Sequence, residues 1–134
     1  MHKLILLVRH LRRIAAFKVS ARAVVLTLMI LGAWVATIHL EFPPNVSVND
    51  KLIHVVVFFG FALLMDLATS RNPFWLWKGL PLLIYGGGIE IAQYFTEFRS
   101  FSIADWFADF AGILLYYLIK STIVYFDKYR SSDN

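Results

Sequence analysis

The sequence predicts an all-α integral membrane protein: four transmembrane helices in an antiparallel bundle, preceded by a short basic amphipathic helix at the N-terminus. Three observations predict it. Of the 134 residues, 59% are hydrophobic and the mean hydropathy is +0.64, more apolar than a soluble domain of this size. Four apolar stretches each approach the roughly 20 residues that cross a bilayer as helix. The basic residues collect at alternate ends of those stretches. Once the spans are subtracted no second domain fits, so residues 1–134 read as one membrane domain. With no cysteine, disulfides, thiolate metal sites and thiol nucleophiles are excluded.

The elements follow in order. Residues 2–18 read as an amphipathic helix, with Leu4, Val8, Leu11 and Ala15 on one face and Arg9, Arg12 and Arg13 on another. Such a helix suits a membrane surface carrying anionic lipid. The same bases serve as a topology signal, which accounts for them without nucleic acid as a partner. MHKLILLV is too short an apolar run for a cleaved signal. The spans are expected at 23–40, 52–68, 74–95 and 105–126. The connections EFPPNVSVND, TSRNP and EFRSFS carry turn signals.

The charges set the orientation. Lys3, Arg9, Arg12, Arg13, Lys18 and Arg22 precede the first span; Arg71 and Lys78 flank the second connection; Lys120, Lys128 and Arg130 end the fourth span. A cytoplasmic N-terminus puts all of these inside, as the positive-inside rule prefers, and puts both termini in the cytoplasm. Lys51 and Arg99 are then the bases left outside. Trp75 and Trp77 mark the inner interface, and Tyr94, Phe95, Phe98, Phe101 and Trp106 the outer one. Asp66, near the inner end of the second span, is expected to pair with Arg71 or Lys78.

This topology brings the polar residues to one depth. Asp50, Lys51 and His54 open the second span; Glu90 and Gln93 end the third; Arg99 lies in the outer loop; Asp105 and Asp109 open the fourth. Four-residue spacing puts Asp50 with His54, and Asp105 with Asp109, on shared helix faces. Ala104, Ala108 and Gly112 permit close helix approach. Gly86, Gly87 and Gly88 permit the same, or loosen the helix before Glu90. A charge at membrane depth costs about 2.5–3.5 kcal/mol on insertion scales and usually faces a partner within the bundle. Lys51 and Arg99 are the expected partners of Glu90. Even with Glu41 and Glu97 set aside as solvent-facing, four acids outnumber two bases. Some carboxyls must be protonated, or the site must hold a cation. A divalent ion with oxygen ligands, or an amine on a ligand, would supply the charge, and His54 would add a nitrogen. No metal signature such as HExxH is present, so the sequence itself assigns no metal ligand.

The pieces DKLIH (50–54), GGGIEIAQYF (86–95) and RSFSIADWFADFAG (99–112) resemble, in this order, the VanZ-like family of small bacterial membrane proteins. That family's pattern is an Asp-Lys-x-x-His start, a Gly-x-x-x-Glu-x-x-Gln helix, and Arg-Ser followed by an Asp and a small-residue helix ending in Gly. Asp109 stands where Asn is common, and Phe98 where Gly is common. The resemblance implies a bacterial inner membrane and an envelope role. The founding members look like accessory proteins in resistance to glycopeptides such as teicoplanin.

Three readings of the cluster follow. The first is a ligand site formed by Asp50, Lys51, His54, Glu90, Gln93, Arg99 and Asp105. It would bind a membrane lipid headgroup, a lipid-linked cell-wall precursor or a lipoglycopeptide, with the bases on phosphate or carboxylate and the acids on amines or hydroxyls. The second is an enzyme with His54 or Glu90 as general base and Asp105 as acid. No activated nucleophile supports it, since Ser47, Ser100 and Ser102 lack a base at matching spacing. The third is a structural cluster that locks the helices, with no ligand. Gln93 and Asp109 taken singly suit that role best. The sequence sets no oligomeric state.

Overall fold

The computed structural model describes residues 6–7, 14–38, 49–96 and 101–132. Helix α1 spans Ala15–Thr37, α2 spans Asp50–Ala68, α3 spans Leu80–Tyr94 and α4 spans Ile103–Ser132; a π-helical turn, Trp75–Gly79, leads directly into α3. Among the described residues there is no strand. Most of the expected N-terminal amphipathic helix lies outside the described residues. Its last residues belong to α1, which starts well before the expected boundary.

Among the described residues three helices are long and apolar enough to cross a membrane: Ala16–Thr37, Asp50–Ala68 and Ile103–Arg130. The third expected span differs. Its helical path is broken into the π turn and a 15-residue α3, and 15 residues of α-helix rise only about 22 Å. The apolar run was visible in the sequence. The wide turn within it was not, because residues 74–80 (FWLWKGL) hold one glycine, Gly79, which does not by itself distinguish a π turn from continuous α-helix.

The remaining boundaries have local causes. Asn49 caps α2: its side-chain oxygen accepts from the Leu52 amide at 3.3 Å. Ser102 does the same for α4 through the Asp105 amide, also at 3.3 Å. Each helix thus carries an aspartate in its first turn, Asp50 or Asp105, against the positive end of the helix dipole.

The helices run up and down in turn, and named bonds fix their senses. Arg22 Nε donates to the carbonyl of Ala68, joining the start of α1 to the end of α2. Tyr85 donates to Met29 O at 2.6 Å and Gln93 to Ala36 O at 3.0 Å, so α3 runs alongside α1 in the same sense. Trp106 Nε1 donates to Leu83 O at 3.0 Å across the antiparallel α3–α4 pair. Helix α2 touches all three others. Its closest approach is to α4, where a Cβ on Gly112 would run into the carbonyl oxygen of Val55. The core is aromatic: Phe58, Phe61, Phe74 and Tyr116 pack with Leu82, Ala62 and Ile113. Outward faces are apolar as well, with Ile30 and Ile84 largely exposed, a surface suited to hydrocarbon rather than water.

Two polar clusters sit at opposite ends of this bundle. At one end Asp66 is buried and receives Lys78 Nζ at 2.5 Å, Lys120 Nζ at 2.7 Å and the Tyr116 hydroxyl at 2.8 Å. The expected Asp66–Lys78 pair is present. Arg71 instead stacks over the Trp77 ring, 4.6 Å from its centroid. The second cluster is the candidate site.

Candidate functional site

The first turns of α2 and α4 and the last turns of α3 meet at one end of the bundle, and each brings the polar residues its sequence encodes. Lys51 Nζ lies 3.4 Å from Asp105 Oδ1. One turn deeper, His54 Nδ1 lies 2.7 Å from Asp109 Oδ1. With Asp109 as a carboxylate, which only accepts, Nδ1 is the donor of this bond, and a neutral His54 then carries its lone pair on Nε2. Glu90 is wholly buried, and its Oε2 accepts from the backbone amide of Ser102 at 2.9 Å. Asp50, His54 and Asp105 each present one ligand-type atom, all within 4.8 Å of one another.

The site residues read from sequence divide accordingly. Asp50, Lys51, His54, Glu90 and Asp105 come together. Gln93 is at the same end but is buried and spends its amide on Ala36 O, tying α3 to α1. Arg99 lies outside the described residues, as do Glu41 and Glu97. The expected Glu90–Lys51 pair is not formed: Lys51 goes to Asp105, and Glu90 takes a backbone N–H where α4 begins. Asp109, read as a packing residue, is the partner that orients His54. The signal was in the spacing, because two four-residue steps on neighbouring parallel helices stack Asp50 on Asp105 and His54 on Asp109.

Gly86 makes room for that arrangement. A Cβ there would collide with Asp109 Oδ2. The glycine thus lets a buried carboxylate pass against the backbone of α3. The neighbouring Gly88 faces open space.

The electrostatics are unbalanced. Asp50, Glu90, Asp105 and Asp109 are four acids, and Lys51 is the base beside them among the described residues. Glu90 Oε1, Asp105 Oδ1 and Asp109 Oδ2 are buried and, among the described residues, accept no hydrogen bond. Each such oxygen costs about 1–3 kcal/mol if left unpaired. By contrast, every oxygen of Asp66 at the other end has a donor. The Asp50 end thus keeps acceptor capacity that the described residues do not use. Chemically it can bind a cation or a donor-rich headgroup, and it can hold a histidine in one tautomer.

The family model described as VanZ/LLP1 matches residues 8–124, most of the chain. No curated protein and no solved structure matches it.

Proposed function

The chain belongs to the VanZ-like family, and from that premise we propose that it is an envelope protein of the bacterial inner membrane that binds the headgroup of an amphiphile at the outer face. In this reading four segments cross the bilayer, the π turn and α3 together making the third crossing. Both termini are cytoplasmic and the Asp50 end faces outward. The amphiphile is a lipid headgroup, a lipid-linked cell-wall precursor or a lipoglycopeptide antibiotic of the teicoplanin type. Protection against such drugs, or upkeep of the envelope, follows from holding that molecule.

The observation that carries this reading is the set of buried, unaccepting oxygens of Glu90, Asp105 and Asp109 beside the exposed ammonium of Lys51. A purely structural cluster would pair all of them, as the Asp66 cluster does, whereas among the described residues only Asp105 Oδ1 meets a base, Lys51 at 3.4 Å. Lys51 and Arg99 would meet the phosphate or carboxylate, and the carboxylates would meet amines or hydroxyls. Native mass spectrometry of the protein extracted with its own lipids tests this, with wild type beside Glu90→Gln and Arg99→Ala. The expected result is a bound envelope lipid in wild type that both variants lose. Lipid-free spectra from all three would overturn it.

The His54–Asp109 pair favours a second reading, an enzyme that modifies the headgroup by general acid–base chemistry. Its 2.7 Å bond is that of a base held by an orienting carboxylate. His54 would be the base and Asp105 the acid. Turnover of the captured lipid by wild type, abolished in His54→Gln, would establish it; a lipid recovered intact would exclude it.

A further inference from the structure

We infer that Asp50, His54 and Asp105 bind one divalent transition-metal ion, of the zinc class, with Asp109 as the residue that positions His54. The inference specifies how the site described above meets an anionic headgroup. It rests on that reading for the headgroup but not for the ion.

Three separate features point to it. The candidate ligand atoms of the three residues already converge to within 4.8 Å of one another, and they come from the first two turns of α2 and the facing first turn of α4. Ligands about 2.0–2.2 Å from a single ion need only a small closing of that spacing, within reach of side-chain rotation. Next, the Nδ1 edge of His54 is occupied by Asp109, so Nε2 of a neutral His54 would be the coordinating nitrogen. A ligating histidine that gives its other N–H to a carboxylate is the usual second layer of a protein metal centre. Finally, Asp105 is only 7% exposed and its Oδ1 accepts no hydrogen bond among the described residues, with the same true of Glu90 Oε1 nearby. Lys51 answers this poorly: its side chain is 61% exposed and it stands off from Asp105 at 3.4 Å. An ion seated among the carboxylates would satisfy Asp105 and free Lys51 to turn outward.

The donor set selects the metal. One imidazole and two carboxylates, with no thiolate, favour zinc or a neighbouring first-row ion over magnesium or calcium, which prefer oxygen alone. Three protein ligands leave a coordination position open. A phosphate or carboxylate oxygen of the amphiphile would fill it, with Lys51 alongside.

The test uses untagged full-length protein in detergent, stripped with chelator and titrated with Zn²⁺ alone by calorimetry, with metal content then measured by mass spectrometry. Wild type should bind one Zn²⁺ per chain. His54→Gln and Asp105→Asn should each weaken binding at least tenfold. Asp109→Asn should weaken it about 10–100-fold while leaving the ligands in place. Lys51→Met should bind as well as wild type or better. Failure of wild type to take up zinc, or equal uptake by His54→Gln and Asp105→Asn, overturns the site. Should either variant fail to fold, pulsed EPR of wild type loaded with Cu²⁺ decides instead: coupling to one imidazole nitrogen supports the site, and its absence overturns it. Zinc uptake without a bound lipid would sustain the ion and defeat the headgroup reading. A bound lipid without zinc uptake would do the reverse.

Discussion

At the residue scale, two glycines of the same bundle do opposite work. Gly112 lies where α4 presses on the backbone of α2, and even one methyl there meets the Val55 carbonyl. Backbone cannot swing aside as a side chain can. Gly112→Ala should therefore destabilise the protein by about 1–3 kcal/mol, read as a lower melting temperature in detergent. Gly88 has nothing within reach of an added Cβ. Gly88→Ala should be neutral or stabilise by up to about 1 kcal/mol, because alanine suits a helix interior better. Glu90→Gln belongs with these. An amide oxygen still accepts the Ser102 N–H, and the unpaired buried charge is gone. The melting temperature should hold or rise while lipid binding falls; a steep loss of stability would instead mark Glu90 as structural. Much of this site was legible in the sequence as residues that shared a depth. The partners were not, because pairing depends on which helices run side by side. Lys51 reaches Asp105 only because α2 and α4 are close neighbours, and Glu90 meets an amide that no side-chain pattern announces.

Among the elements, the joint between α2, the π turn and α4 has the most at stake. One carboxylate, Asp66, takes Lys78 from the turn and both Tyr116 and Lys120 from α4. The two ammonium groups also sit over Phe74, at 5.7 and 5.4 Å from its ring centroid. Removing the shared acid strands a buried lysine. Asp66→Asn should cost about 3–5 kcal/mol, measured by denaturant unfolding in mixed micelles. Pairing it with Lys78→Met should recover much of that, since an apolar side chain of similar volume replaces the stranded charge. The sequence foretold a base from the same end of the bundle for Asp66, Arg71 or Lys78, and Lys78 is the one that pairs. It did not foretell Lys120, which lies far along a 30-residue helix. That helix outruns its expected boundary because its last turns are polar, and hydropathy alone ends the span before they begin.

For the molecule as a whole, the apolar pattern announced the helices and their alternation, and the charges proposed a direction. The direction is open to a plain test, because a chain without cysteine accepts single reporters. Phe101→Cys lies at the Asp50 end and Ser70→Cys near the Asp66 end, both on exposed residues. A membrane-impermeant maleimide on intact spheroplasts should label Phe101→Cys and should reach Ser70→Cys only after lysis. The reverse pattern would invert the proposed topology. Both polar clusters also draw on a single helical path, and its π turn acts on them as a phase shifter. On an unbroken α-helix, Phe74 and Glu90 would point roughly 160° apart, one into the bundle and one out of it. A wide turn absorbs about one extra residue and cuts that angle to about 60°. Both side chains are buried in the bundle, as that smaller angle allows. The turn sets the azimuth of the whole segment beyond it: the same residues wound as plain α-helix would aim Glu90 at the lipid, whereas deleting one residue from the turn would restore plain winding and keep Glu90 on its present face.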